Sequence, residues 1–406
     1  MKHVAIIGGG ASGFAAAITV ARQRKDLHVT IFERLEKPLK KILATGNGRC
    51  NLTNSTATKA DYFGNTSYAA AALSAFPPQS TIAFFESMGL LCKEEELGRV
   101  YPLSGQAASV REILLAEAKA CGVQLESNLE IQRISQQKDG TFLLNQTIPA
   151  DVVALAFGGK AAPKHGTDGS AYALFAQLGI PMVQPRPALT ALTCKDFPKS
   201  LKGVRNVSGI TLLCDGKPLY TINGEVQFTD YGLSGVPIMQ LSRLVEAPLQ
   251  RTYTVKLSCL PHIERSALQR YIQQLQKSAK NLMIHTFMAG LLPKALGDFI
   301  LHRAHIQKEK PLGALSFKEI ETLLNISTQL TFQIAEPRGF DFAQVTAGGA
   351  DCRAFYKSTL ASKQIAHLYA CGEALDVDGG CGGYNLQWAF SSGRMVGDAI
   401  SKGEFV

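Results

Sequence analysis

Gly8, Gly10 and Gly13 are spaced as G-x-G-x-x-G, and the carboxylate of Glu33 follows twenty positions after the last of them. Where a strand feeds a helix, glycines so spaced allow a tight turn, close approach of backbone to a diphosphate, and close packing of helix on strand. The helix that opens at Ala11 and Ser12 starts with unpartnered N–H groups and a partial positive charge, which suit phosphate oxygens. An acid at the end of the next strand accepts hydrogen bonds from both ribose hydroxyls and disfavours a 2′-phosphate. These residues therefore read as a holder for an adenine dinucleotide, with NAD and FAD both open and NADP disfavoured at this site.

A second stretch, GEALDVDGGCGGYNLQW at 372 to 388, repeats the order of acid, glycines and helix. One bound nucleotide does not need two such units, whereas an extended FAD does. Gly372 and Glu373 are expected near ribityl hydroxyls and phosphate, and the backbone N–H groups of Gly382, Gly383, Tyr384 and Asn385 at the pyrimidine edge of the flavin. A helix N-terminus aimed there stabilises the negative charge of the reduced ring.

A third stretch, KKILATGNGRCNLTN at 40 to 54, adds cations, glycines and short polar side chains. Lys41 and Arg49 are expected at the phosphates, and Asn47, Gly48, Cys50 and Asn51 along the ring. Arg34, adjoining Glu33, belongs to the same set of cofactor contacts. Cys50 carries two readings, a redox thiol and a small buried apolar side chain, of which the second is the commoner. Tyr231 and Tyr384 are the other candidates for a catalytic side chain, with packing as the competing reading for Tyr231. No catalytic triad is discernible.

The elements that must position these groups are legible as periodicity. Val4 to Ile7 reads as a buried strand, Phe14 to Arg24 as a helix and His28 to Phe32 as a second strand, a βαβ unit. A helix near Val110 to Ala120, a meander from Val123 to Asn145 and a strand at 151 to 157 extend the α/β pattern. At QPRPAL, 184 to 189, two prolines and a change of rhythm mark a boundary. The expected organisation is a Rossmann-like FAD-binding domain from residues 1–187 and 341–406. It is interrupted by a β-rich, barrel-like insertion at 188–260, with a return strand at 328–340, and by a helical insertion at 261–327. His302 and His305 would share one helical face, but no carboxylate or cysteine completes a metal set, so no metal is expected.

Composition narrows the class. With 406 residues, 46% hydrophobic and 18% charged, the chain reads as globular and multidomain, without repeats. No run of eighteen apolar residues occurs, and the first strand begins too early for a signal peptide, so a soluble cytoplasmic protein with no membrane partner is expected. The nine cysteines are scattered without a C-x-x-C pair, which fits a reducing compartment. The net charge is +9, and residues 261 to 318 hold nine Lys/Arg against three Asp/Glu. That excess suits nucleic acid, an anionic cofactor or a solvated face, and few aromatics are interleaved with it for base stacking, so nucleic acid is disfavoured. The sequence carries no signal of oligomeric state.

GGGASG with Glu33, LATGNGRCNLTN, GEVQFTDYGLSGVPI at 224 to 238, VTAGGA at 345 to 350 and GEALDVDGGCGGYNLQWAFSSGRMVG together resemble the bacterial BaiN-like flavoproteins, also called the aminoacetone oxidase family. The resemblance runs from residue 4 to residue 397. It implies an FAD-binding two-dinucleotide fold interrupted by a β-barrel-like domain that carries a small helical domain. It also implies oxidoreductase activity, with some members resembling NAD(P)H-dependent reductases of steroid-like enones and others amine oxidases. By the same resemblance, Ile131 would bring backbone to the adenine and Gly158 would lie near the adenosine. One departure is Pro38-Leu39-Lys40-Lys41, where related flavoproteins often read PGKK or LGKK, which leaves a glycine-dependent turn without its glycine.

The function expected is hydride transfer between flavin N5 and a small organic molecule. A second intact G-x-G-x-x-G in a βαβ setting is missing, so NADH or NADPH, as a transient reductant, would enter the substrate's own cavity. An amine oxidase using O2 is the alternative within flavoenzymes. From another class, an RNA-associated flavoprotein stays open.

Overall fold

The structure, a computed structural model, describes residues 1–403. The last three positions of the expected 341–406 segment lie outside the described residues. One compact unit comprises the chain up to Pro187 together with the segment from Phe340 onward; a second comprises Ala188–Gly339.

The first unit is built on five parallel strands. Lys2–Ile7 is central, flanked by Val152–Leu155 and then Leu368–Ala370 on one side, and by Leu27–Glu33 and then Gln124–Ser127 on the other. Val4 to Ile7 are buried, as a parallel strand covered on both faces requires. The strand Gln124–Ser127 belongs to this sheet, so the antiparallel meander is confined to Ile134–Gln136, Phe142–Leu144 and Ile148–Ala150. This corrects the start of the meander expected from Val123.

Helix Ala11–Gln23 follows the first strand, and the C-terminal helix Tyr384–Ser401 packs along it. Small residues set how closely they approach. A Cβ at Gly393 would collide with the Ser12 carbonyl oxygen, and one at Gly397 would lie 2.6 Å from Thr19 Cβ.

Leu39 supplies the turn that the sequence left without a glycine. It adopts the left-handed conformation (φ 59°, ψ 20°), and its N–H donates to the Gly9 carbonyl at 2.8 Å. A left-handed branched residue costs about 1–2 kcal/mol. Leu39 is 3% exposed, and burying its side chain offsets that cost by a similar amount, about 1.5–3 kcal/mol. The turn is made here with a left-handed leucine in it.

In the second unit, six antiparallel strands close a barrel in the order Leu192–Cys194, Gly232–Ser234, Lys217–Phe228, Arg205–Cys214, Tyr253–Ser258 and Leu330–Pro337. Leu212, Val226, Phe228, Val255, Leu257 and Phe332 are buried in a core shared with helices Arg265–Ser278, Ile284–Ala289, Lys294–Arg303 and Phe317–Thr328. The last helix starts in a capping box, Ser316 accepting from the Glu319 N–H and Glu319 from the Ser316 N–H. The shared helical face expected of His302 and His305 is not formed. The helix ends at Arg303, and His305 is left-handed at φ 56°, so both imidazoles are exposed beyond any common stripe.

This unit holds 18 Lys/Arg and 11 Asp/Glu, so +7 of the chain's +9 resides in it. Among the described residues no helix is long and apolar enough to cross a membrane.

Candidate functional site

The turn from Gly8 to Gly13 divides its glycines by what each would meet. A Cβ on Gly8 (φ 115°) would lie 2.6 Å from both the Ala156 carbonyl oxygen and Phe157 Cα, and one on Gly13 would collide with the Gly8 carbonyl oxygen. These two glycines are demanded by packing of strand, turn and helix. Gly10 is different: its backbone is extended (φ −92°, ψ −175°), and no protein atom lies within 4 Å of where its Cβ would be. No side chain caps the helix that starts beyond it, and its first turn carries no acid. Uncapped N–H groups of Ala11, Ser12 and Gly13 thus face open space at the positive end of a helix, where an anion is the natural occupant.

Glu33 stands beside this space. Its Oε2 accepts from the Gly9 N–H and its Oε1 from the Leu35 N–H, each at 2.8 Å. The carboxylate is fixed in place, and each oxygen keeps a further lone pair for a hydroxyl donor. The Leu129 N–H bonds the Glu33 carbonyl at 3.0 Å, which brings the segment carrying buried Ile131 alongside. Arg34 turns to Asp168 (3.1 Å) and Ser170 Oγ (3.0 Å), so it braces this side through protein partners. Gly158 is left-handed at φ 83°, and a Cβ there would press on Thr167 Cγ2 at 2.9 Å.

The segment around Gly372 meets the first turn directly. Gly372 (φ 71°) lies so close to Ser12 that a Cβ would strike its hydroxyl, and its carbonyl accepts the Trp388 indole N–H at 2.9 Å. Glu373 next to it accepts the Thr346 N–H at 2.8 Å and pairs with Lys41 at 2.6 Å. Lys41 thereby joins the 40–54 stretch to the second glycine motif through a carboxylate. Arg49 is placed elsewhere: its guanidinium lies 4.1 Å above the Tyr101 ring and pairs with Glu95 at 2.5 Å. These are the partners the structure gives Arg49, which was expected beside the phosphates.

The third part forms where residues 45 to 54 meet the start of the C-terminal helix. Gly46, Asn47, Gly48 and Cys50 are all left-handed, so the chain coils tightly before Asn51. A Cβ on Gly383 (φ 100°) would lie 2.5 Å from the Thr53 carbonyl oxygen and 2.9 Å from Asn51 Oδ1. Asn51 is 8% exposed, and its Oδ1 is buried without a hydrogen-bond partner. Leaving such an oxygen unmet costs about 1–3 kcal/mol, so a donor is missing. The C-terminal helix begins without a side-chain cap, so its first N–H groups lack acceptors. The Asn385 side chain pins the turn by bonding both N–H and carbonyl of Gly379 at 2.8 and 2.9 Å, leaving its backbone for the helix start.

A waiting acceptor beside waiting donors matches the edge of a flavin, whose N3–H lies between two carbonyl oxygens. The residues fit FAD at both ends: an open, uncapped helix N-terminus at Gly10 and a donor–acceptor pattern at Asn51 and the helix start.

Cys50 is fully buried, and burial pushes its thiol up to about 12. In this packing burial favours its reading as a small, protonated apolar side chain over that as a redox thiol. The Tyr384 phenol is pushed up by burial, with Asp61 adding to the shift and Arg99 opposing it, so it is an O–H donor at neutral pH. Its ring meets Tyr62 edge to face with centroids 6.2 Å apart. Tyr231 belongs to the second unit, where the Arg338 guanidinium lies 4.1 Å over its ring.

Sequence reasoning missed Thr346, whose N–H holds Glu373 and whose hydroxyl accepts from the N–H groups of Lys160 and Ala161 at 2.8 and 2.9 Å. It also missed the G-x-x-x-G of Gly393 and Gly397, a spacing visible in the sequence that predicts close helix contact.

A family model described as the HI0933-like protein Rossmann domain matches residues 2–399. The chain is 38% identical over 408 residues to the 3-dehydro-bile acid delta(4,6)-reductase of Clostridium scindens, covering 99% of this chain and 100% of that protein. It is 31% identical over 407 residues to the ribosomal RNA dihydrouridine synthase of Haemophilus influenzae, covering 98% of each. Among solved structures, 3-ketosteroid delta1-dehydrogenase from Sterolibacterium denitrificans, in complex with 1,4-androstadiene-3,17-dione, aligns with a TM-score of 0.51 at 12% identity. That alignment covers 99% of this chain and 100% of the other, and it is a likeness of fold.

Proposed function

The chain belongs to the HI0933-like Rossmann family and is a flavin-dependent oxidoreductase, and we propose that it reduces a carbon–carbon double bond conjugated with a carbonyl group. The observation that carries this reading is the end-to-end identity of 38% to a protein named as a delta(4,6)-reductase of 3-dehydro-bile acids. The name of the dihydrouridine synthase relative describes the same chemistry on a uracil ring. A bound flavin would supply the hydride-transfer chemistry, its reduced form giving the hydride after being reduced by NADH or NADPH.

The chain's own residues prepare that chemistry. The uncapped helix at Gly10 to Gly13 holds the diphosphate, and Glu33 takes the ribose hydroxyls. The N–H groups of Gly382, Gly383 and Tyr384 stabilise negative charge at the pyrimidine edge, which favours the reduced state, while Asn51 Oδ1 fixes the ring's orientation. Tyr384, its phenol pushed up by burial, keeps its proton at neutral pH.

Anaerobic addition of NADPH and then NADH to the purified flavoprotein, followed by a conjugated 3-ketosteroid, tests the proposal. Loss and then return of the visible flavin absorbance is expected. Colour that persists with both nucleotides, and O2 uptake with amines instead, would replace the reductase by an oxidase.

A second reading, reduction of uridine in RNA, is favoured by the 31% identical relative and by the +7 excess of the second unit. Binding of an RNA oligonucleotide that survives physiological salt supports it; binding lost between low and physiological salt reduces it to nonspecific attraction.

A further inference from the structure

Three short strands, Thr53–Asn54, Arg99–Pro102 and Cys92–Glu94, form an antiparallel ribbon beside the glycine turn that enters the C-terminal helix. One face of the ribbon is tied to that turn, because Asn54 Nδ2 donates to the Gly382 carbonyl at 3.1 Å. Residues directly opposed in antiparallel strands project to the same side, as do residues two apart in one strand. Asn54 opposes Arg99, and Tyr101 opposes Lys93, so Arg99, Tyr101 and Lys93 share the face that Asn54 presents to Gly382. Arg49 adds a third cation, stacked on Tyr101 at 4.1 Å.

The carboxylates near this face are already engaged. Glu95, whose N–H bonds the Arg99 carbonyl at 2.7 Å, is held by Arg49 at 2.5 Å and by Lys93 at 2.8 Å. Asp61 accepts from the Thr58 N–H and hydroxyl at 2.8 and 3.0 Å. Arg99 is half-buried and has no carboxylate partner among the described residues. Its charge is nevertheless felt at the turn, where it opposes the upward push that burial gives the Cys381 thiol and the Tyr384 phenol. An arginine on a rim of solvated charges needs no explanation; this one is half-buried beside a buried aromatic ring and the residues that would hold the flavin edge. A guanidinium fork matches a carboxylate in two parallel hydrogen bonds.

We propose that Arg99, walled by the Tyr101 ring under Arg49, anchors a carboxylate of the substrate, so that this oxidoreductase acts on an organic acid. The inference rests on the reductase reading above and adds to it the charge of the substrate. The remaining cations, Arg49 and Lys93, are neutralised only in part by Glu95 and bias the face further toward anions. Arg99 itself leaves no partner unpaired when replaced, so its variants are expected to fold and to retain FAD.

The test uses the FAD-loaded protein and reads binding from the shift of the flavin spectrum, without turnover. Two probes are compared: a 3-keto bile acid carrying a conjugated double bond, and its neutral methyl ester. A charge-assisted pair of this kind is worth about a tenfold change in Kd or more. The wild type is expected to bind the acid at least that much more tightly than the ester; Arg99→Gln should erase the preference while leaving the ester unchanged, and Arg99→Lys should restore part of it. Equal binding of acid and ester by the wild type overturns the proposal. So does an Arg99→Gln variant that keeps the preference, or one that shifts the flavin reduction potential while the preference stays. If neither steroid perturbs the flavin, the ketone reading fails, and benzoate against benzamide then tests Arg99 separately. Benzoate felt by the wild type and not by Arg99→Gln upholds the anion anchor, and benzoate felt by neither or by both overturns it. A wild type indifferent to all these acids, yet losing a uridine oligonucleotide on Arg99→Gln, would assign the arginine to RNA phosphate instead.

Discussion

Replacing Gly10 with valine separates the holding of the cofactor from the holding of the fold. The backbone at Gly10 is in the extended region that valine prefers, and no protein atom lies within 4 Å of the added Cβ. The apoprotein loses only the difference between glycine and an apolar residue at a helix N-cap, about 1 kcal/mol. The side chain does, however, fill the opening in front of the N–H groups of Ala11, Ser12 and Gly13. Two such charge-assisted bonds, at about 1.5–3 kcal/mol each, amount to about 3–6 kcal/mol, or roughly two to four powers of ten in the FAD dissociation constant. Gly13→Val is the control, because its Cβ would collide with the Gly8 carbonyl oxygen and the loss should appear in the apoprotein's own stability. Urea unfolding of the apoproteins and FAD titration by flavin fluorescence measure the two quantities. A Gly10→Val protein that stays yellow through desalting, or whose apoprotein is as damaged as that of Gly13→Val, refutes the division between the two glycines.

Glu33→Ala should weaken FAD binding at least about tenfold, since hydrogen bonds to an ionised acceptor are lost, and an unchanged dissociation constant would count against its ribose role. Leu39→Gly relieves about 1–2 kcal/mol of left-handed strain but removes a side chain whose burial is worth about 1.5–3 kcal/mol; a lower urea midpoint is expected, and a higher one would show that the side chain does not anchor the turn. Cys50, Cys194, Cys259 and Cys371 are each pushed up to about 12 by burial. Because an unfolded thiol titrates near about 8.5, only the unfolded chain loses these protons as pH rises, so stability is intact below that value and falls between it and about 12. Urea midpoints measured at pH steps across this window should decline, and a flat profile would mean that the thiols are not sequestered.

The first strand, its glycine turn and the first helix were legible because continuous apolar residues, then glycines, then small apolar residues change rhythm within a few positions. The C-terminal helix was legible from its glycine entry for the same reason. Closure of the barrel was less so: Leu192–Cys194 and Gly232–Ser234 are three residues long, and Leu192 pairs with Pro337 from the far end of the inserted segment. Local periodicity does not encode such a partner. Prolines at QPRPAL read as a break, yet the strand Met182–Ala188 runs through them, since it pairs with Val345–Ala350 in a two-stranded sheet that offers an edge. Leu39 hid its turn because its residue type argues against the conformation it adopts. Of the candidate site, the two glycine motifs, Glu33 and Glu373 were readable as types with a use. The stacking of Arg49 on Tyr101 was not legible, because a cation near a glycine loop suits a phosphate and an aromatic ring equally well, and that ring is supplied by a strand distant in sequence.

The inserted second unit begins and ends at one place: the Arg338 N–H bonds the Ala191 carbonyl at 2.9 Å, and Leu192 lies opposite Pro337. A segment whose ends are joined by its own sheet behaves, for the chain that hosts it, like a very short loop, because its closure entropy is met within the segment. Such a piece can be duplicated, exchanged between relatives or redesigned while the host keeps its register. It also makes different histories for the two units possible, with the +7 cassette free to drift in length and charge while the glycine turns of the host hold still.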